Sequence, residues 1–213
     1  MNCDRIAPWY RYLEYASFGP ALQQRRCYFL PKLKTARSVL MLGEGDGRFL
    51  ARFVAQNQDA EIDYVDASAK MLRLAALRVT GYSRVRLHCL DLMREDPPGK
   101  NYDLVVTHFF LDCFTDNELA AVLEKVRAAT APSAEWIVSE FREPADGWQR
   151  WRARAWVSGL YFGFRIMTGL KTRGLPDYAG ALSRMGFELQ SEAIASRGLL
   201  TSQMWQRRGR RLQ

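Results

Sequence analysis

The sequence predicts an α/β fold: a mostly parallel sheet of seven strands, helices on both faces, and an antiparallel hairpin at the C-terminal end. Three observations predict it. Apolar runs of strand length alternate with segments of helical periodicity between residues 38 and 140, and such alternation marks a parallel sheet. Glycines alternate in Gly43-Glu44-Gly45-Asp46-Gly47, between the first strand-like run and the first helix-like segment that follows it. Beyond residue 177 the chain ends on a short helix and two strand-like runs too close together for another crossover. At 213 residues it suits one well-filled α/β domain.

The elements follow in order. Trp9–Leu30 reads as helical, broken near Phe18-Gly19-Pro20, and residues 1–35 are expected to form an N-terminal helical lid. Ser38–Leu42 is a strand, and Arg48–Gln56 a helix with Phe49, Leu50, Phe53 and Val54 on one side. Glu61–Val65 is the second strand, followed by a helix over Ser68–Val79 with Met71, Leu72, Ala75 and Leu77 inward. Val85–Cys89 is the third strand. Tyr102–Thr107, nearly all apolar, is the fourth and should be covered on both faces. Asp116–Ala129 forms an amphipathic helix capped by Thr115 or Asp116. Glu135–Glu140 is the fifth strand and closes a core spanning residues 38–140. An aromatic and basic helical insertion is expected over residues 148–173. The last helix, Asp177–Met185, and a hairpin of Phe187–Ala195 and Leu199–Gln206 occupy residues 177–206.

The net charge of +8 is unevenly placed, with arginines gathered between Arg150 and Arg173 and in Arg207-Arg208-Gly209-Arg210-Arg211. A solvated surface explains this as well as an anionic partner does. Cys3, Cys27, Cys89 and Cys113 are scattered without a C-x-x-C pair, and the chain has only 2 histidines. Neither a metal site nor a disulfide scaffold is expected, and reduced thiols point to the cytoplasm. The first residues lack the apolar stretch of a signal peptide, and no run approaches membrane-span length. The expectation is a soluble or peripherally attached protein.

Alternating glycines between strand and helix permit positive φ and close approach of a ligand to the backbone. The helix N-terminus behind them offers N–H groups to an anionic group. That makes a nucleotide-type ligand the natural guest. The dinucleotide fingerprint G-x-G-x-x-G fails, because Arg48 stands where its last glycine should be, and no G-K-[ST] tripeptide exists. Asp66, ending the second strand, suits the two hydroxyls of a ribose, and it also suits an N-cap for the next helix.

The spacing G-x-G-x-G, with Asp66 and Asp91 following successive strands, resembles the class I S-adenosylmethionine (SAM)-dependent methyltransferases. The resemblance covers residues 38–140, and the closing hairpin extends it to Gln206. It implies a Rossmann-like domain that binds SAM and releases S-adenosylhomocysteine (SAH), with Asp91 at the adenine amino group. Ala67, Ser68, Met71, Leu92, Thr107 and His108 join Gly43, Glu44, Gly45, Asp46 and Gly47 in the implied cofactor set. The family usually has an acid two residues before the first glycine. Here that position is Met41, and Glu44 stands as its substitute. The leading segment W-Y-R-Y-L-E-Y-A-S-F-G is similar to the start of quinone-biosynthesis methyltransferases, which makes Tyr10 and Tyr15 candidate cofactor contacts beside a plain packing role.

Methyl transfer needs alignment more than acid–base machinery. His108 is the candidate general base and Asp112 a candidate for orienting the substrate, although a histidine at a strand end is also a common packing residue. N-P-P-[YFW], the signature of amine methylation on nucleobases and glutamine in this fold, is absent. Trp148, Trp151, Trp156, Tyr161, Phe162, Phe164 and Met167, flanked by arginines 150, 152, 154 and 165, offer an apolar acceptor pocket, a contact with anionic membrane, or packing. A small, apolar acceptor is therefore expected rather than nucleic acid. The competing readings are an RNA methyltransferase, a non-catalytic SAM-binding regulator and, more remotely, an NAD(P)-dependent oxidoreductase. An oxidoreductase would call for the missing fingerprint and a hydride-site pair such as Tyr-x-x-x-Lys.

Overall fold

The computed structural model describes residues 19–142 and 175–208. Seven strands form one sheet: β1 (Ser38–Leu42), β2 (Glu61–Asp66), β3 (Val85–Cys89), β4 (Tyr102–His108), β5 (Thr130–Phe141), β6 (Phe187–Ala195) and β7 (Leu200–Arg207). The helices are α1 (Ala21–Arg26), α2 (Arg48–Gln56), α3 (Ala69–Arg78), α4 (Asp116–Ala129) and α5 (Tyr178–Arg184). The strand order is β3-β2-β1-β4-β5-β7-β6. The first five strands run parallel, and β7 enters antiparallel between β5 and β6. The order reverses between β1 and β4, which is where an open parallel sheet leaves a crevice at its carboxyl edge.

Alternation along the central strands divides the core between the two faces. Leu40, Leu42, Val105, Trp136 and Val138 meet Leu119, Val122, Leu123 and Val126 of α4 and Leu182 of α5. Val39, Met41, Leu104 and Val106 meet Phe49, Leu50 and Phe53 of α2 with Leu72 and Ala75 of α3. Each fully buried side chain of this kind contributes roughly 1.5–3 kcal/mol against exposure. Strands covered on both faces explain why β1 and β4 read as unbroken apolar runs. Met41 is wholly buried among these residues, so it belongs to the packing and offers nothing to a polar ligand.

Two expectations need correction. Leu77 is not inward but 76% exposed. It lies two positions past Ala75, and two residues turn a helix by about 200°. Strand β5 begins at Thr130 rather than at Glu135. Its first residues are held by a single pairing, Tyr102 with Thr130, before the register shifts, and Pro132 masks that extension in the sequence. Arg207, which the sequence groups with the basic tail, instead donates to the carbonyls of Thr130 and Arg127 at 2.8 and 3.2 Å. Arg208 pairs with Glu188. Most of the N-terminal lid, the insertion at 148–173 and the last arginines lie outside the described residues. Among those described, no helix is long and apolar enough to cross a membrane.

Candidate functional site

The chain leaves β1 into three left-handed glycines, Gly43, Gly45 and Gly47, at φ 62°, 72° and 77°. Side chains are nearly forbidden at such angles, so the alternation in the sequence is a backbone requirement. Two of these glycines are also closely packed. A Cβ on Gly43 would lie 2.0 Å from Phe110 Cδ2, and one on Gly47 would lie 2.8 Å from the Ala75 Cα. Polar bonds fix the turn from below. The Gly43 amide donates to the Val65 carbonyl at 2.9 Å, and the Tyr64 hydroxyl donates to the Gly45 carbonyl at 2.9 Å.

The Asp46 side chain is engaged within the protein. One carboxylate oxygen accepts from Arg48 Nε and the other from the Arg78 guanidinium, both at 2.8 Å, and Arg78 Nε also reaches the Asp46 carbonyl at 2.8 Å. The side chain thus ties α2 and α3 to the turn. Arg48, the residue that breaks the dinucleotide fingerprint, is part of the same clamp.

At the end of β2, half-buried Asp66 stands beside the turn, its Oδ1 accepting from the Ser68 amide at 2.8 Å. Ser68 is the N-cap of α3, its hydroxyl accepting from the Met71 amide at 3.2 Å, so the cap falls to the serine and Asp66 is held at the crevice. Ala67 is half-buried and Met71 is buried. After β3, Asp91 accepts from the Met93 amide at 3.0 Å, next to buried Leu92. Asp66 and Asp91 therefore both follow carboxyl ends of neighbouring parallel strands, as the sequence predicts.

Beside the turn lies a buried polar pair. The Glu44 and His108 side chains are fully inaccessible, with Nε2 and Oε1 3.6 Å apart. Burial, followed by the charge of Arg26, holds His108 well below the ordinary histidine range. Near neutral pH the contact is therefore a neutral imidazole beside a carboxyl group rather than an ion pair. The ring sits edge-on against Phe49 at 4.8 Å, and neither nitrogen finds a hydrogen-bond partner among the described residues. A base must reach the proton it takes. His108 faces the α2 side of the sheet and is sealed from solvent. Thr107 is committed as well: its hydroxyl accepts from Trp136 Nε1 at 3.0 Å inside the core.

The turn after β4 carries Asp112, buried in a short 3-10 turn, Leu111–Cys113. Facing it is Glu140 at the end of β5, completely buried, which the sequence reading passed over. Its Oε1 accepts from the Phe110 and Leu111 amides at 3.0 and 2.8 Å. Burial and then the neighbouring Asp112 push its carboxyl well up. The available signal was an acid closing an apolar strand at the carboxyl edge, the same signal that singles out Asp66. Arg26 was also missed. It is buried, with its guanidinium 5.1 Å over the Phe109 ring. Tyr10 and Tyr15 lie outside the described residues. Tyr28 and Lys32 do have the Tyr-x-x-x-Lys spacing, but they precede β1, with Tyr28 exposed and the Lys32 ammonium over the Phe29 ring.

Residues 40–135 match a family described as methyltransferase domain. No curated protein matches the sequence. Among solved structures, the chain is similar to the N-methyltransferase NodS from Bradyrhizobium japonicum, at 11% identity and TM-score 0.63, covering 88% of this chain and 97% of that one. It is also similar to the 1,6-didemethyltoxoflavin-N1-methyltransferase from Burkholderia thailandensis, solved with 1,6-didemethyltoxoflavin and SAH, at 16% identity and TM-score 0.67, covering 95% of this chain and 85% of that one. The cyclase SpnF is similar too, at 16% identity and TM-score 0.65, covering 89% of this chain and 81% of that one. At these identities the likeness establishes the fold, and one fold carries several chemistries.

Proposed function

We propose that this chain is a class I methyltransferase that transfers a methyl group from SAM to a small acceptor and releases SAH, a reading supported by its fold and by the family match over residues 40–135. The observation that carries the reading is the run of left-handed glycines at 43, 45 and 47, set beside Asp66 at the end of the neighbouring strand. Together they offer bare backbone to a nucleotide-type ligand and a carboxylate, held by the Ser68 amide, to its ribose hydroxyls.

The described residues fit that cofactor. Half-buried Ala67 gives apolar surface for a base, and Asp91 follows β3 at the same carboxyl edge of the sheet. Below the glycines, the imidazole of His108 next to Glu44 is a buried polar group awaiting a partner among the described residues, and buried polar groups are rarely left so. Glu44, His108 and Arg26 are the residues we assign to the charged amino-acid end. When bound, SAM supplies an electrophilic methyl on a sulfonium, and the rest of the work is alignment and exclusion of water. Glycines 43, 45 and 47 position, Asp66 orients, and Asp112 lies at the β4–β5 edge where an acceptor would be held. No general base is assigned.

We place the acceptor among small apolar molecules because the tryptophans and aromatic residues between 148 and 173 offer far more apolar surface than a connector needs. The arginines among them supply positive charge for a peripheral contact with an anionic membrane surface. Flotation with anionic and neutral vesicles at low salt tests this contact, and equal recovery from both would remove it.

Calorimetry with SAM, SAH and NAD tests the central reading. SAM and SAH should bind and NAD should not. Asp66→Ala should weaken SAM binding by about tenfold or more, the scale of losing hydrogen bonds to a charged group. Binding with no SAH formed across a panel of phenolic, amine and lipid-like acceptors would favour a regulator, or a non-methylating chemistry like that of the similarly folded cyclase. Absence of SAM binding would sink the reading altogether.

A further inference from the structure

Glu140, the penultimate residue of β5, has its side chain completely buried and its Oε1 on the amides of Phe110 and Leu111, at 3.0 and 2.8 Å. Those amides follow Phe109, which stands at φ 56° although bulky residues avoid that region. A third bond, from the Phe109 amide to the Ser139 carbonyl at 2.7 Å, completes the hold on this one turn. The left-handed step sends two successive rings to different neighbours. Phe109 packs against Phe141, ring centroids 5.0 Å apart, and under the Arg26 guanidinium at 5.1 Å. Phe110 packs edge-on to Phe114 at 5.0 Å and comes so close to Gly43 that a methyl group there would overlap the ring.

We propose that Glu140 is a positioning residue that clamps the turn after β4 in its left-handed form, so that the Phe110 ring becomes the wall of the glycine turn at Gly43. A ligand laid on that turn must meet the ring, and so its affinity depends on a carboxyl group that never touches it. The carboxyl is sealed from solvent, its second oxygen has no hydrogen-bond partner among the described residues, and buried Asp112 is its neighbour. Such a group is costly to bury, and what it secures is the strained step at Phe109. The consequence for SAM rests on the function proposed above, while the clamp itself does not.

The experiment compares the native chain with Glu140→Ala, Glu140→Gln and Phe110→Ala at a temperature where near-ultraviolet circular dichroism shows each one folded. Hydrogen exchange is followed in peptides covering residues 109–113, and SAM binding by calorimetry. Glu140→Ala should speed exchange of the Phe110 and Leu111 amides and weaken SAM by about tenfold, the worth of one to two hydrogen bonds. Glu140→Gln should keep both near native values, because its amide oxygen accepts the same bonds. Phe110→Ala, which leaves the clamp in place, should weaken SAM with the amides still protected, and it carries the binding test if Glu140→Ala does not fold. A folded Glu140→Ala with native exchange and native affinity would overturn the proposal, as would a glutamine variant as impaired as the alanine one. If the native chain binds no SAM, the proposed function fails, and the exchange comparison alone still decides the clamp.

Discussion

His108 shows how strongly one residue's surroundings bear on its chemistry. A histidine at the end of a central strand is a fair candidate for a base, but here the ring is inaccessible, packed on Phe49 and neutral. Its position gives a testable dependence of stability on pH. Burial, then the charge of Arg26, lowers the folded-state pKa, whereas an unfolded histidine titrates near about 6.5. Between those two values the unfolded chain binds more protons, so stability is full above about pH 6.5 and falls as the pH drops below it. Urea unfolding from pH 5 to 8 should show that slope, and His108→Gln should flatten it between about pH 5 and 6.5. An unchanged slope in the variant would mean that the imidazole keeps its charge in the folded chain. Asp46 carries the complementary lesson. Its place in the glycine motif marks it as a ligand contact, yet its carboxylate is spent on Arg48 and Arg78. Arg78 is 32 residues away in sequence, beyond the reach of any local pattern.

At the scale of elements, the sequence is most readable where structure is decided locally. Helix α4 carries a complete capping box: the Thr115 hydroxyl accepts from the Glu118 amide while the Glu118 carboxylate accepts from the Thr115 amide at 3.0 Å. Thr115→Ala removes half of it and should cost about 1 kcal/mol, lowering Tm by roughly 2–4 °C in a chain of this size. SAM affinity should stay unchanged, because the helix packs on the far side of the sheet from Glu44 and His108. A loss of affinity would mean that α4 communicates with the site. Strands β1 and β4 were equally legible, since burial on both faces forces unbroken apolar runs, and the spacing of β6 and β7 left little but a hairpin. What stayed hidden was anything requiring two distant segments at once. The Glu140 clamp joins residues 29 and 30 apart, and the outward turn of Leu77 depends on how α3 is rotated against β2 and α2. Asp66 and Asp91 were legible as strand-end acids, whereas the buried pairing of Glu44 with His108 needed the fold.

For the molecule as a whole, the site is not appended to the core but built from it. Gly43 follows β1, and Asp66, His108 and Glu140 lie on β2, β4 and β5, the same four strands whose side chains fill both apolar layers. A ligand held across their carboxyl ends ties together segments far apart in sequence, and it binds the folded chain alone, so mass action couples its binding to global stability. At a SAM concentration about a hundredfold above its dissociation constant, the gain is about 2.7 kcal/mol. With roughly 2–4 °C per kcal/mol for a domain of this length, Tm should rise by roughly 5–10 °C with SAM or SAH and stay put with NAD. The rise should grow logarithmically with concentration, and in Asp66→Ala it should return only at proportionately higher SAM. A shift of equal size with NAD would argue for generic nucleotide binding on the glycine turn. A saturating shift that ignores the Asp66 substitution would place SAM somewhere other than the crevice between β1 and β2.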